Sequence, residues 1–252
     1  MPSFFYRMLI GIFAIVILVL FAVYMKSVSR NVRSQVIDDL KAGASKEGMR
    51  ELPDLNKLRE AAQKNPGSVD AQAELAQALF RRGELDEALP VLDAAIRLNP
   101  SNAELFFQRA KIYENTSRGE EAINEYEHAV LIDPKMVKAM MSAATLLRYH
   151  NEFERAIQWY RRVLELEPRN ATAHHHWGLA LARQREYSRA VMEYDAALQI
   201  EPQNDALLYD MGMAYKSNAD KRDARDCFER ACKLNPRNGH ACFEARRLSA
   251  VE

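Results

Sequence analysis

Apolar and polar positions follow two different regimes along this chain. From Met8 to Met25 there are 18 consecutive uncharged residues, MLIGIFAIVILVLFAVYM. At about 1.5 Å rise per residue such a helix reaches roughly 27 Å, close to the thickness of a bilayer's hydrocarbon core. The pattern predicts a transmembrane helix over 8–25 behind a short tail, 1–7, with Phe4, Phe5, Tyr6 and Tyr24 where aromatic rings favour the interface. A cleaved signal peptide fits less well, because the run exceeds an ordinary h-region and no A-x-A-like site follows. Val28, Val32, Val36 and Leu40 then recur every four residues until Gly43 and Gly48 intervene. Residues 26–52 read as a juxtamembrane helix and linker, a hinged stalk rather than a coiled coil, since the stripe is short.

Beyond this segment the pattern repeats on a longer scale. Pro66, Pro100, Pro134, Pro168, Pro202 and Pro236 are each 34 residues apart. Between them the same side-chain types return in register. Small residues recur at Ala76, Ala110, Ala144, Gly178 and Gly212, again at Ala88, Ala122, Ala156, Ala190 and Ala224, and in a third column at Ala95, Ala129, Val163, Ala197 and Ala231. Large apolar residues recur at Leu79, Tyr113, Leu147, Leu181 and Tyr215, and at Leu92, Tyr126, Tyr160, Tyr194 and Phe228. Two antiparallel helices approach closely only where side chains are small, and neighbouring large columns fill the remaining space. Each proline ends a helix, and two residues later Ser68, Asn102, Asn170, Asn204 and Asn238 stand as N-caps, with Met136 breaking the series.

These columns resemble the tetratricopeptide repeat (TPR) family over five whole repeats, 69–102, 103–136, 137–170, 171–204 and 205–238, within 67–238. The resemblance implies an all-α fold: a right-handed α-solenoid of five TPR helix pairs with terminal capping helices, preceded here by the transmembrane helix. Leu55, Leu58 and Ala62 suggest a degenerate capping half-repeat over 53–66. Residues 239–252 read as a C-terminal capping helix with Ala241, Ala245 and Leu248 inward. Gln72, Arg109 and His174 stand where the family usually has an apolar residue, and Gly119 and Lys221 weaken two turns, so softer packing is expected there.

Composition narrows the reading. The chain is 48% apolar, enough for a core, and its 35 basic side chains balance 35 acidic ones, so no basic excess points to nucleic acid. Residues 26–66 are net +3 and residues 67–252 net −4. The Lys and Arg excess after the apolar run favours a cytoplasmic solenoid on a single-pass membrane protein. Cys227, Cys232 and Cys242 read as ordinary thiols, which leans the same way. Cys227 and Cys232, five apart, would point in different directions on a helix; a bond involving Cys242 stays open.

Little chemistry is visible. His174, His175 and His176 are successive, about 100° apart on a helix, and cannot converge on one metal ion; by register His174 faces the core, His175 the groove and His176 solvent. No GxGxxG, GxxxxGK, GxSxG or HExxH occurs. Trp159 and Trp177 read as packing residues. No catalytic site, metal or cofactor is expected.

The TPR resemblance implies that the first helix of each repeat lines a groove for peptides. The groove residues it selects are Phe107, Lys111, Lys138, Met141, Arg148, Tyr149, His175, Leu179, Arg183, Tyr209, Met213 and Lys216. With the remaining columns the groove holds six basic and three acidic side chains inside an acidic domain, which suggests a partner segment with acidic and apolar residues. The Lys and Asn set with which chaperone-adaptor members hold a terminal carboxylate is missing: the matching columns carry Ala73 and Gln77, then Gln108 and Glu104, or Phe107 and Lys111, then Ser142 and Lys138. The expected role is a membrane-tethered protein-interaction scaffold in assembly or recruitment of a complex. A self-associating structural solenoid (a homo-oligomer) and an accessory subunit of an enzyme are the alternatives.

Overall fold

The computed structural model describes residues 54–249. Among them are twelve helices and no strand. In chain order these are α1 (Leu55–Lys64), α2 (Val69–Arg82), α3 (Leu85–Leu98), α4 (Ala103–Asn115), α5 (Gly119–Ile132), α6 (Val137–Tyr149), α7 (Phe153–Leu166), α8 (Ala171–Arg183), α9 (Tyr187–Ile200), α10 (Asp205–Ser217), α11 (Lys221–Leu234) and α12 (Gly239–Ser249). Each packs on the helix before and the helix after it, and the first helices of successive repeats also touch, α2 with α4, α6 with α8 and α8 with α10. The result is an all-helical solenoid.

The single-pass membrane assignment is corrected. Among the described residues no helix is long and apolar enough to cross a membrane. The longest have 14 residues, about 21 Å at 1.5 Å per residue, and they alternate buried and solvated faces. The segment 8–25 and the stalk over 26–52 lie outside the described residues.

The caps explain where the chain turns. Ser68, Asn102, Asn170, Asn204 and Asn238 each accept a backbone N–H from the first turn that follows, at 2.9–3.2 Å, whereas Met136 caps nothing. Inside each hairpin one residue takes the left-handed conformation: Gly83, Ser117, Asn151, Arg185 and Ala219, with φ of 79°, 59°, 64°, 64° and 67°. Only the first repeat uses glycine there, so the other four turns carry some strain, which tertiary packing holds in place.

Packing follows the columns. Ala88, Ala122, Ala156, Ala190 and Ala224 are all fully buried, as are Tyr126, Tyr160 and Phe228. A Cβ built on Gly178 would stand 2.5 Å from Cε1 of Tyr194, and one on Gly212 2.7 Å from Cε1 of Phe228. A ring on the second helix therefore lies flush against the backbone of the first. Gly119 does similar work between repeats, since a Cβ there would meet Nε2 of His150 at 2.5 Å.

Each of the three polar intruders finds a polar partner. Arg109 reaches Asp93 on α3 at 2.8 Å and both carboxylate oxygens of Glu125 on α5 at 2.8 Å, bridging two second helices from the first helix between them. His174 Nδ1 lies 2.7 Å from Glu193, and Gln72 donates to the Ala62 carbonyl at 3.4 Å. Trp159 and Trp177 are half-buried packing residues, and the Trp159 indole donates to Glu127 at 3.3 Å.

The cysteines are a second correction. Cys232 on α11 and Cys242 on α12 form a disulfide, with their Cα atoms 4.8 Å apart. The bond joins two neighbouring antiparallel helices, a proximity that spacing along one helix does not reveal. Cys227 remains a buried thiol, and burial pushes its pKa up to about 11. The argument from an odd set of free thiols to a reducing compartment falls with this pairing.

Two outcomes follow. Gly178→Ala should lower stability by about 1–2 kcal/mol in urea unfolding, although alanine is the better helix former, because the new methyl must displace the Tyr194 ring. Reduction of Cys232–Cys242, or Cys232→Ser, should cost about 2–3 kcal/mol in the chain-entropy account of a loop this short. Hydrogen exchange should locate the loss in α12 first.

Candidate functional site

The first helices α2, α4, α6, α8 and α10 present one continuous face. Of the twelve side chains singled out from the sequence, Lys138, Tyr149 and Arg183 are exposed and the other nine are half-buried; none is sealed in the core. Their neighbours decide what each can offer.

Three of the lysines are already engaged. Lys138 pairs with Glu104 one repeat earlier, at 2.5 Å, and lies 4.6 Å over the Phe107 ring. Lys111 pairs with Glu114 at 3.0 Å, and Lys216 with Glu244 on α12 at 2.9 Å. His175 Nε2 meets Asp210 on α10 at 2.7 Å. By contrast Arg148 and Arg183 form no ion pair among the described residues. Arg148 stacks 4.5 Å from the Tyr149 ring centre, which fixes its direction. Arg81 on α2 is likewise exposed with no ion pair among the described residues, so the unpaired positive charge of the face stands on arginines of α2, α6 and α8.

Apolar surface is interleaved with it. Met141 and Leu179 pack on the core from the rim, and Met213 and Tyr209 lie over the Phe228 cluster, with the Tyr209 and Phe228 rings 5.7 Å apart. Phe107 stands 5.5 Å from the Tyr126 ring, and Phe107 and Lys111 also line a cavity of about 200 Å³ between α2 and α4.

The floor beneath Arg148 holds polar atoms that the sequence reading did not select. The Tyr160 hydroxyl, Arg148 Nε and His176 Nδ1 are buried without a hydrogen-bond partner. The rings of Tyr160 and His176 are 6.0 Å apart, edge to face. His176 therefore does not face solvent, contrary to its assigned register. Burial, chiefly, and then the positive charge of Arg148 bring its pKa down to about 4. Burial and the charge of Asp210 raise the Tyr194 hydroxyl, and Arg148 and Arg183 oppose that rise. The signal that could have found these residues is the column itself: each tyrosine of α5, α7 and α9 faces the sixth residue of the repeat that follows, Ser142, His176 or Asp210.

Among the described residues no group of three or more His, Cys, Asp and Glu side chains is placed to hold a metal ion. His174, His175 and His176 turn to Glu193, Asp210 and Tyr160 respectively.

Such a stack of helical hairpins with a half-buried, mixed face defines a helical-repeat protein of the kind that typically serves as a non-catalytic interaction scaffold. Models of the TPR repeat match residues 76–117 and 145–185, and tetratricopeptide repeat models match 103–136 and 206–238, together more than half of the chain. The chain belongs to the tetratricopeptide repeat family.

Solved structures agree on the fold. YrrB, described as a TPR protein with an unusual peptide-binding site, is 20% identical with a TM-score of 0.67, covering 77% of this chain and 100% of its own. MamA from Desulfovibrio magneticus RS-1 is 18% identical with a TM-score of 0.64, covering 68% and 96%. The pilF protein of Pseudomonas aeruginosa is 18% identical with a TM-score of 0.61, covering 73% and 83%. No curated protein matches the sequence.

The depressed His176 pKa has a measurable consequence. Below about pH 6.5 the unfolded chain gains a proton on this imidazole that the folded chain refuses until about pH 4, so folding stability is lost as pH falls through that window. The loss should reach at most about 3 kcal/mol. His176→Phe should flatten that part of the stability profile between pH 6.5 and 4, read by urea unfolding at a series of pH values.

Proposed function

We propose that the chain is a protein-interaction scaffold that holds an extended partner segment along the face of α2, α4, α6, α8 and α10, and so assembles or recruits a complex. The segment carries acidic and apolar residues. The observation that carries this reading is the adjacent pair Arg148 and Arg183: on a face whose lysines are neutralised by Glu104, Glu114 and Glu244, these two guanidinium groups, like that of Arg81 on α2, have no carboxylate partner among the described residues. Tyr149 holds the Arg148 side chain in place, which reduces the ordering cost of a bidentate contact with an incoming carboxylate. Met141, Leu179, Tyr209 and Met213 supply adaptable and aromatic contact beside it. A charge-only reading would place the site at Lys138, but that ammonium is already satisfied.

The test is direct. Arg148→Glu combined with Arg183→Glu should reduce capture of the physiological partner by about tenfold or more in a quantitative pull-down with the full chain. Met192→Lys, on an exposed position of α9, should leave capture unchanged. Equal capture by all three proteins would remove this face as the binding surface.

A further inference from the structure

One repeat departs from the others at the column that matters most. Tyr126, Tyr160, Tyr194 and Phe228 each press a ring against the first helix of their own repeat, against Ala110, Ala144, Gly178 and Gly212 in the sequence register. In the first repeat the same two columns hold Leu92 and Ala76, and no ring is supplied. Ala76 and Leu92 form part of the wall of the 200 Å³ cavity, together with Phe80, Phe107, Gln108 and Ile112. The cavity sits in the place of the ring that the first repeat lacks.

Its polar group fits the same account. In the later repeats the tyrosine lies near the sixth residue of the following repeat, Ser142 for Tyr126, His176 for Tyr160 and Asp210 for Tyr194, although the Tyr126 hydroxyl itself donates to Glu114 at 2.6 Å and the Tyr160 hydroxyl has no partner among the described residues. The residue in that column opposite Leu92 is Gln108, and its Oε1 is buried with no hydrogen-bond partner. A buried carbonyl oxygen without a donor is costly and gains most from one delivered by a ligand. The volume is below the roughly 300–1,000 Å³ of drug-sized sites and suits a single side chain. Glu104 and Lys111 both line the mouth, and Lys111 and Lys138 are paired with Glu114 and Glu104, so the rim is balanced in charge and the choice of side chain rests on the ring-sized apolar wall and on Gln108.

We propose that this cavity is a socket for one tyrosine side chain of the partner, whose ring takes the place of the missing one and whose hydroxyl donates to Gln108 Oε1. The inference rests on the reading of the first-helix face as a peptide-binding surface. First helices spaced by about 8–10 Å put the socket roughly 15 Å from Arg148. An extended segment bridges that span in about four to five residues, so the tyrosine and the acidic residue are that far apart in the partner.

The experiment uses the full chain and two small probes, N-acetyl-tyrosinamide and N-acetyl-phenylalaninamide, followed by saturation-transfer NMR and titration. The tyrosine probe should bind about 3- to 10-fold more tightly than the phenylalanine probe. Gln108→Leu should abolish that preference while leaving weak binding of both. Leu92→Tyr, which installs the residue the next three repeats use, should raise Tm and eliminate binding of both probes, with an unchanged helical circular dichroism signal showing that the fold is intact. Probe binding that survives Leu92→Tyr, or no detectable binding of the tyrosine probe to the unmodified chain, would overturn the socket. Loss of the socket with partner capture still sensitive to Arg148→Glu and Arg183→Glu would leave the wider face standing; a working socket with charge-insensitive capture would do the reverse.

Discussion

The distance between the two helices of each repeat is set at one place, where a ring from the second helix lies against a residue of the first that has almost no side chain. At Gly178 and Gly212 even a methyl group would collide with that ring. The same ring reaches past its own repeat to the next first helix, as Tyr160 does to His176. One side chain thereby couples three helices, and a row of them transmits the spacing along the array. Leu92 breaks this row, and the cost appears as a cavity and an unpartnered amide oxygen rather than as a disordered repeat.

Charge obeys the same register. Side chains one repeat apart are neighbours on the face, so Lys138 finds Glu104 and His175 finds Asp210. Such contacts are half-exposed and contribute little to stability. Their effect on recognition is larger, because together with Lys111–Glu114 and Lys216–Glu244 they take the three lysines out of the available charge and leave arginine guanidinium groups, Arg148 and Arg183 on α6 and α8 among them, as the electrostatic feature a visiting segment meets. Arg109 shows the structural use of a cation in this architecture, clamping Asp93 and Glu125 at 2.8 Å where an apolar side chain would ordinarily stand.

Much of the fold was legible because a 34-residue period carries both helix boundaries and packing columns. Asparagine and serine caps, prolines after helix ends and small residues at close approaches each name their position locally. What was not legible arises between repeats. Counting charges in the groove columns gave a net sum in which Glu104 and Glu114 already stood, but not which cation each carboxylate holds, and it left out Glu244, which pairs with Lys216 from α12. The register placed His176 in solvent because it follows His175, yet the Tyr160 ring covers it. Cys232 and Cys242 were paired by the turn between α11 and α12, which no single-helix spacing reveals. Leu92 was visible as the odd member of an aromatic column, and its meaning required the cavity beside it.

The Cys232–Cys242 bond gives the array a direction. In a stack whose members touch only their neighbours, opening starts where a helix has one partner instead of two. At the α1 edge that helix is held by packing and by Arg59 reaching Glu84 and Glu87, contacts that water can replace. At the α12 edge the corresponding helix is covalently tethered. Under oxidising conditions the α12 end of the described array is therefore held by a bond that local opening leaves intact, whereas the described contacts between the first repeats, which hold the cavity, and α1 are all non-covalent.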